Sequence, residues 1–145
     1  MHLTSHTDFA LRLLIHLQVS EESVSVAEVA TAYGISRNHL AKVARELAHL
    51  GWIESKRGRG GGLSILPDAF ELTVGTVVRA LEPLTMVECH REEGNTCPIE
   101  PACKLKGVLH EATAAFLAVL DGYTISSLAR RPDLLRALFL ETSQN

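Results

Sequence analysis

The sequence predicts a mainly helical fold with a small β-hairpin wing: a winged helix-turn-helix followed by a long dimerisation helix. Three observations carry this reading. Two helix signatures are joined by the tight turn YGIS at residues 33–36. A basic, glycine-rich tip, KRGRGGG, lies between two short β-prone pieces, WIES and LSIL. From Lys104 onward, KLKGVLHEATAAFLAVLDG repeats apolar residues at helical spacing: Leu105, Val108/Leu109, Ala112, Ala115/Phe116 and Val119/Leu120. A winged domain of this size seldom needs so long an extra apolar helix for itself. The stripe is therefore expected to meet its own copy in a homodimer.

The elements follow in order. Thr7–Val19 reads as an amphipathic helix, with Phe9, Leu13, His16 and Leu17 near one stripe and Ala10 and Leu14 beside it. Asp8 falls in its first turn, where the helix dipole favours an acid. After the polar link SEES, Ser25 and Glu28 form a capping box and Gly34 ends the helix between them. Ile35 fills the turn, and Ser36 is expected to cap a second helix, RNHLAKVARELAHLG, whose Leu40, Val43, Ala44, Leu47 and Leu50 face a core. WIES and LSIL then pair as a hairpin. Thr73–Leu81 suggests another helix, broken by Pro83. Thr124 caps a short helix in ISSLARR, and Pro132 opens DLLRALFL. The expected organisation has three parts packed as one unit. Residues 1–82 form the winged domain, with its first helix also at the dimer interface. Residues 83–104 are a ligand-binding loop, and 105–145 hold the dimerisation helix and a C-terminal helical segment.

Composition bounds the function. With 46% hydrophobic and 21% charged residues, the chain is that of a folded protein. No apolar run reaches the roughly 18 residues a membrane span needs. The opening MHLTSHTDFALRLLIHL lacks a basic leader and a cleavage site, so a cytoplasmic protein is expected. Net charge is −3, but its distribution is uneven. Between Ile35 and Gly62, six basic residues (Arg37, Lys42, Arg45, Lys56, Arg57, Arg59) face two acids (Glu46, Glu54), a local balance of +4 against −7 elsewhere. A basic segment on an acidic body is an electrostatic footprint for nucleic acid. In a helix-turn-helix, the start of the second helix enters the major groove. That places Ser36, Arg37, Asn38 and His39 at base edges, with Lys42 and Arg45 further along. The wing residues Lys56, Arg57, Arg59 and Gly60 would follow the backbone or enter the minor groove. KRGRGGG lacks the spacing and strand-to-helix context of a nucleotide-binding loop. No nucleophile–base signature, H-E-x-x-H or C-x-x-C is present, so an enzyme is not expected.

All the cysteines sit in CHREEGNTCPIEPAC, as Cys89, Cys97 and Cys103, spaced C-x7-C-x5-C. Thiolates bind soft ions and iron–sulfur clusters. Three are one short of a four-ligand site. Residue chemistry leaves Glu88, His90, Glu92, Glu93, His110, His39 and Asp8 as candidates for the fourth. Zinc sites usually show tight C-x2–4-C pairs, and the wider gaps here suit a larger object such as a cluster. Structural zinc, a thiol redox switch and inert cysteines stay open at this point.

LTSHTDFALRLLIHL, YGISRNHLAKVARELAHLGWIES, RGRGGG and LEPLTMVEC…CPIEPAC together resemble the winged-helix iron–sulfur transcriptional repressors, especially their nitric-oxide-sensing members. The resemblance runs over nearly the whole chain. It implies a cytoplasmic homodimer that binds double-stranded operator DNA, an inverted repeat, and leaves it when nitric oxide attacks an iron–sulfur cluster. It also implies Cys89, Cys97 and Cys103 as iron ligands, with Asp8 of the partner subunit's first helix as the fourth. Arg12, one turn after Asp8, is expected to pair with it in the cluster-free form and so to act in coupling. A cluster-assembly regulator in the family uses a histidine soon after its last cysteine, but here KLKG follows Cys103. Three thiolates and one oxygen donor admit either nuclearity, with 4Fe-4S favoured over 2Fe-2S. An iron- or redox-sensing regulator of the same fold is the alternative, and a zinc-stabilised DNA-binding protein is a further one.

Overall fold

Thr4 starts the first helix: its side-chain oxygen accepts the Thr7 N–H, so helix α1 runs Ser5–Val19, two residues earlier than the periodicity suggested. The structure, a computed structural model, describes residues 2–58, 61–91 and 93–142. Helix α2 (Val26–Tyr33) carries the expected capping box between Ser25 and Glu28. It ends at Gly34, whose φ of 63° is a left-handed conformation that favours glycine. Helix α3 (Arg37–His49) begins after Ser36, but the Ser36 side chain makes no capping bond. The expected Ser36 cap is thus corrected to a start held by backbone and packing alone.

Strands β1 (Ile53–Ser55) and β2 (Leu63–Ile65) form the antiparallel hairpin, in register Ile53↔Ile65 and Ser55↔Leu63. Val24 adds a bridge to Leu63 through two backbone bonds of 3.0 and 2.7 Å, pinning the α1–α2 link to the base of the wing. Helix α4 (Val74–Leu81) is capped by Thr73, α5 spans Leu105–Asp121, α6 is the single turn Ile125–Leu128 capped by Thr124, and α7 spans Pro132–Thr142.

The main core gathers Leu13 and Leu14 of α1, Val29 of α2, Leu40, Val43 and Leu47 of α3, Ile53 and Leu63 of the hairpin, Val77 and Ile125. Buried apolar surface of this kind is the dominant stabilising term in folding. Leu50, expected among these, is instead only half-buried at the end of α3. A second, smaller core joins Val74 and Val78 of α4 to Leu117 of α5, with Leu3, Leu11, Leu84, Phe116 and Leu120 packed around it. Where α4 meets α5, Arg79 and Asp121 form a two-pronged ion pair with both bonds at 2.6 Å. A Cβ at Gly75 would collide with the Asp121 carboxylate, so a side chain there would displace the Arg79–Asp121 pair.

Helix α5 buries one residue, Leu117, while Leu105, Val108 and Val119 of its apolar stripe are 57%, 58% and 64% exposed. No described helix is long and apolar enough to cross a membrane.

Candidate nucleic-acid interface and metal centre

Helix α3 is divided cleanly. Leu40, Val43, Ala44 and Leu47 are buried, whereas Ser36, Arg37, Asn38, His39, Lys42 and Arg45 are all exposed. The apolar half docks the helix, leaving its start and basic side free to face outward. In the wing, Lys56 and Arg57 are exposed, and Lys56 lies 2.8 Å from Glu54. That lysine, with help from Ser64, holds the Glu54 carboxyl below the usual carboxylate range. The hairpin tip is closed by bonds from Lys56 N–H to the Gly62 carbonyl and from Gly61 N–H to the Gly58 carbonyl. A side chain at Gly61 would strike the Lys56 backbone. Arg59 and Gly60 lie outside the described residues.

The cysteine segment folds on its own polar contacts. Glu88 accepts from the Thr96 N–H at 2.6 Å and the Thr96 hydroxyl at 2.7 Å, closing the first part of the loop and drawing its carboxyl below the usual range. Lys106 of α5 reaches back to Glu100 at 2.6 Å, closing the second. Cys89 lies in a single 3-10 turn, Glu88–His90, and Cys103 directly follows another, Glu100–Ala102. All three cysteines are free and half-buried.

Cys89 and Cys103 line one cavity of about 810 Å³, walled by Leu84, Ala114 and Leu117 and bordered by Arg91, Lys106 and His110. Cys97 does not line it. Among the described residues, no group of three or more His, Cys, Asp or Glu side chains stands close enough to hold a metal ion. In the single chain the Glu88–Thr96 and Glu100–Lys106 closures hold the loop that carries the three thiols. The donor chemistry nevertheless fits an iron–sulfur cluster: unpaired thiols, an apolar wall, and cationic side chains suited to a negatively charged centre.

The other candidate ligands separate. His90 and His110 both border this cavity, with ring centres 6.4 Å apart, and His90 Nε2 lies 3.2 Å from the Lys106 carbonyl. Glu88 is engaged by Thr96, Glu93 is exposed and does not line the cavity, His39 belongs to the α3 surface, and Glu92 lies outside the described residues. Asp8 is paired with Arg12, at 2.9 Å, and does not line the cavity of Cys89 and Cys103.

Two features were missed in the sequence. Arg12 is tied to α2, because the Tyr33 hydroxyl donates to the Arg12 carbonyl at 3.2 Å and the guanidinium sits 5.9 Å from the Tyr33 ring centre. Burial pushes the Tyr33 hydroxyl up to about 12, with Arg12 opposing. Tyr33 also joins an aromatic cluster with His16 and Phe139 of α7, His16 stacking on Phe139 at 4.2 Å. The apolar positions of DLLRALFL hinted that α7 packs somewhere; nothing in them named His16 as the neighbour. The second missed feature is a set of bonds between Thr4 and Glu82, which are 78 positions apart in the chain.

Residues 3–131 match the family described as Rrf2, iron-dependent transcriptional regulator. The chain is 50% identical over 141 residues to the HTH-type transcriptional regulator NsrR of Shouchella clausii, covering 95% of each. It is 49% identical over 141 residues to the NsrR of Halalkalibacterium halodurans, covering 95% of this chain and 97% of that relative. In three dimensions it superposes on T. potens IscR with a TM-score of 0.71 at 20% identity, covering 94% of this chain and 90% of the other, which speaks for the fold. A mainly helical winged helix-turn-helix with a hairpin wing is common to the reading and the structure, and its relatives regulate transcription and are not enzymes. The chain belongs to the Rrf2 family of iron-dependent transcriptional regulators.

Proposed function

We propose that this regulator is an iron–sulfur repressor that binds an inverted-repeat operator as a homodimer and is released from it by nitric oxide. The observation that carries the proposal is the cavity on which two free thiols, Cys89 and Cys103, meet helix α5 beside the core shared with α1 and α4. A centre placed there would touch the cysteine loop and helix α5, whose Leu117 joins the core shared with α1 and α4. Ser36, Arg37, Asn38 and His39 are assigned to the major groove, Lys42 and Arg45 to its flank, and Lys56, Arg57, Arg59 and Gly60 to the wing's DNA contact. The exposed start of α3 supports this assignment.

Cys89, Cys97 and Cys103 would hold the cluster, with Asp8 of the partner subunit as fourth ligand and 4Fe-4S favoured over 2Fe-2S. When bound, the cluster supplies the iron that nitric oxide attacks. The rest is done by the chain. Asp8 must leave Arg12 to serve as a ligand, and Arg12 is bonded through its carbonyl to Tyr33 at the end of α2. Asp8 would hold iron at the expense of its pair with Arg12, so a change at Asp8 would reach Tyr33, where the helix-turn-helix begins. Two sites and two arrangements linked in this way constitute allostery.

A second reading has its own support. The family description names iron, not nitric oxide, which favours iron or redox state as the signal acting on the same centre. A zinc-stabilised protein has less support, since no tight cysteine pair is present. Purification without oxygen, followed by absorption spectroscopy, iron and sulfide analysis and native mass spectrometry, tests the centre itself. A coloured protein with matched iron and sulfide is expected. A colourless protein with stoichiometric zinc would overturn the proposal, and stable absorption under nitric oxide alongside sensitivity to oxidants would favour the second reading.

A further inference from the structure

The bonds between Thr4 and Glu82 join two places that the proposed mechanism treats separately. Thr4 is the N-cap of α1, the helix that presents Asp8, and its own carbonyl accepts the Asp8 N–H at 3.0 Å. Glu82 follows the last residue of α4 and leads through Pro83 and Leu84 into the cysteine loop. One carboxylate oxygen of Glu82 accepts both the Thr4 N–H, at 2.7 Å, and the Thr4 hydroxyl, at 2.9 Å. The backbone on either side is anchored too. Leu3 and Leu84 both pack against the small core of Val74, Val78 and Leu117. Burial raises the Glu82 carboxyl, but hydrogen bonds from Thr7 and Thr4 more than offset it, so the group stays ionised and the bonds are charge-assisted.

We infer that Glu82 is a positioning residue: it fixes the N-terminus of α1 to the root of the cysteine loop, so that each subunit's loop sets the Asp8 offered to its partner. This rests on the proposed ligation by Asp8. Its consequence is that the two centres of a dimer are not independent. A loop that loses its centre moves Glu82, Glu82 moves the first turn of α1, and Asp8 on that turn belongs to the other centre. Loss of one centre therefore hastens loss of the second.

The test uses the full chain with Glu82→Ala, Glu82→Gln, Thr4→Ala, Asp8→Ala and the Glu82→Ala/Asp8→Ala double variant. Amide exchange at Asp8 is read first, in cluster-free protein, where iron plays no part. Glu82→Ala should speed it by about tenfold to a hundredfold, the scale of a hydrogen bond to a charged group. Glu82→Gln keeps an acceptor and should restore most of the protection, while Thr4→Ala should be intermediate because its N–H remains. Release of iron to a chelator is read second, without oxygen. Asp8→Ala and Glu82→Ala should each speed release, and the double variant should release no faster than Asp8→Ala alone, because Glu82 acts through Asp8. Unchanged exchange in Glu82→Ala, or accelerations that multiply in the double variant, would overturn the inference. If Asp8→Ala leaves iron release unchanged, the ligation by Asp8 fails, whereas the clamp itself is still decided by exchange. Should Glu82→Ala not fold, Thr4→Ala decides the exchange result from the other side of the contact.

Discussion

Helices α3 and α5 carry the same kind of apolar periodicity and meet opposite fates. Helix α3 buries Leu40, Val43, Ala44 and Leu47 and shows solvent a row of basic and polar residues. Helix α5 is four residues longer, at 17 against 13, yet buries only Leu117 and leaves Leu105, Val108 and Val119 largely exposed. A stripe tells which face is apolar, and says nothing of what covers it. Helices α1 to α3 and the hairpin close a core with Val77 and Ile125, while α5 presents a face that one chain leaves open. Exposed apolar area of that kind marks an interaction surface, and a second copy is the occupant the proposal assigns to it.

The largest effect is expected where the core is closed. Leu40→Ala should destabilise the fold by about 2–5 kcal/mol, as for fully buried leucines elsewhere, measured by chemical denaturation. Replacing exposed Val108 and Val119 together with Asp should leave each chain folded but shift sedimentation from dimer to monomer. If the double variant remains dimeric, α5 is not the pairing face. At the DNA end, Arg37→Ala should weaken operator binding by about 1–3 kcal/mol and relax sequence preference at one position. Loss that is uniform across sequences would instead make Arg37 a phosphate contact.

The smallest effect concerns the contact of α1 with α7. Burial holds the His16 imidazole below its ordinary 6.5, with Glu28 opposing, and its Nδ1 has no hydrogen-bond partner among the described residues. Because the folded value is depressed, the unfolded chain takes up the proton first as pH falls. The His16 contribution to stability is thus complete above the ordinary histidine value and declines as pH drops through it towards the folded one. His16→Phe should keep the stack on Phe139 and flatten this part of the stability profile, measured as the difference from the parent chain between neutral and mildly acidic pH.

The legible parts of the molecule share a local cause. The capping box at Ser25 and Glu28, the end at Gly34, the hairpin between WIES and LSIL and the caps at Thr73 and Thr124 all depend on residues within a few positions of one another. Ser36 failed as a side-chain cap although its residue type was right, because type alone does not orient a hydroxyl. The illegible parts are long-range. Nothing local in TSHT or ALEP pairs Thr4 with Glu82, and nothing in DFALRLLIH or LLRALFL stacks His16 on Phe139. The site divides in the same way. The Asp8–Arg12 pair, one helical turn apart, was readable, whereas the placement of Cys97 away from the cavity of Cys89 and Cys103 depends on loop closures by Glu88 and Lys106. The proposed completion of the centre by Asp8 of a second subunit is beyond what periodicity in one chain can express.

If the proposal holds, the state of the cysteine centre governs DNA binding. The direct measurement is affinity, without oxygen, for a duplex selected from random sequence by the iron-loaded protein. It would be made on iron-loaded, nitric-oxide-treated and cluster-free protein at two salt concentrations, so that phosphate attraction is separated from base reading. The loaded protein should bind tightly and lose at least tenfold in affinity, about 1.4 kcal/mol, after nitric oxide or removal of the centre. Equal affinity in all three states would contradict the proposal, even if the loaded protein proved rich in iron.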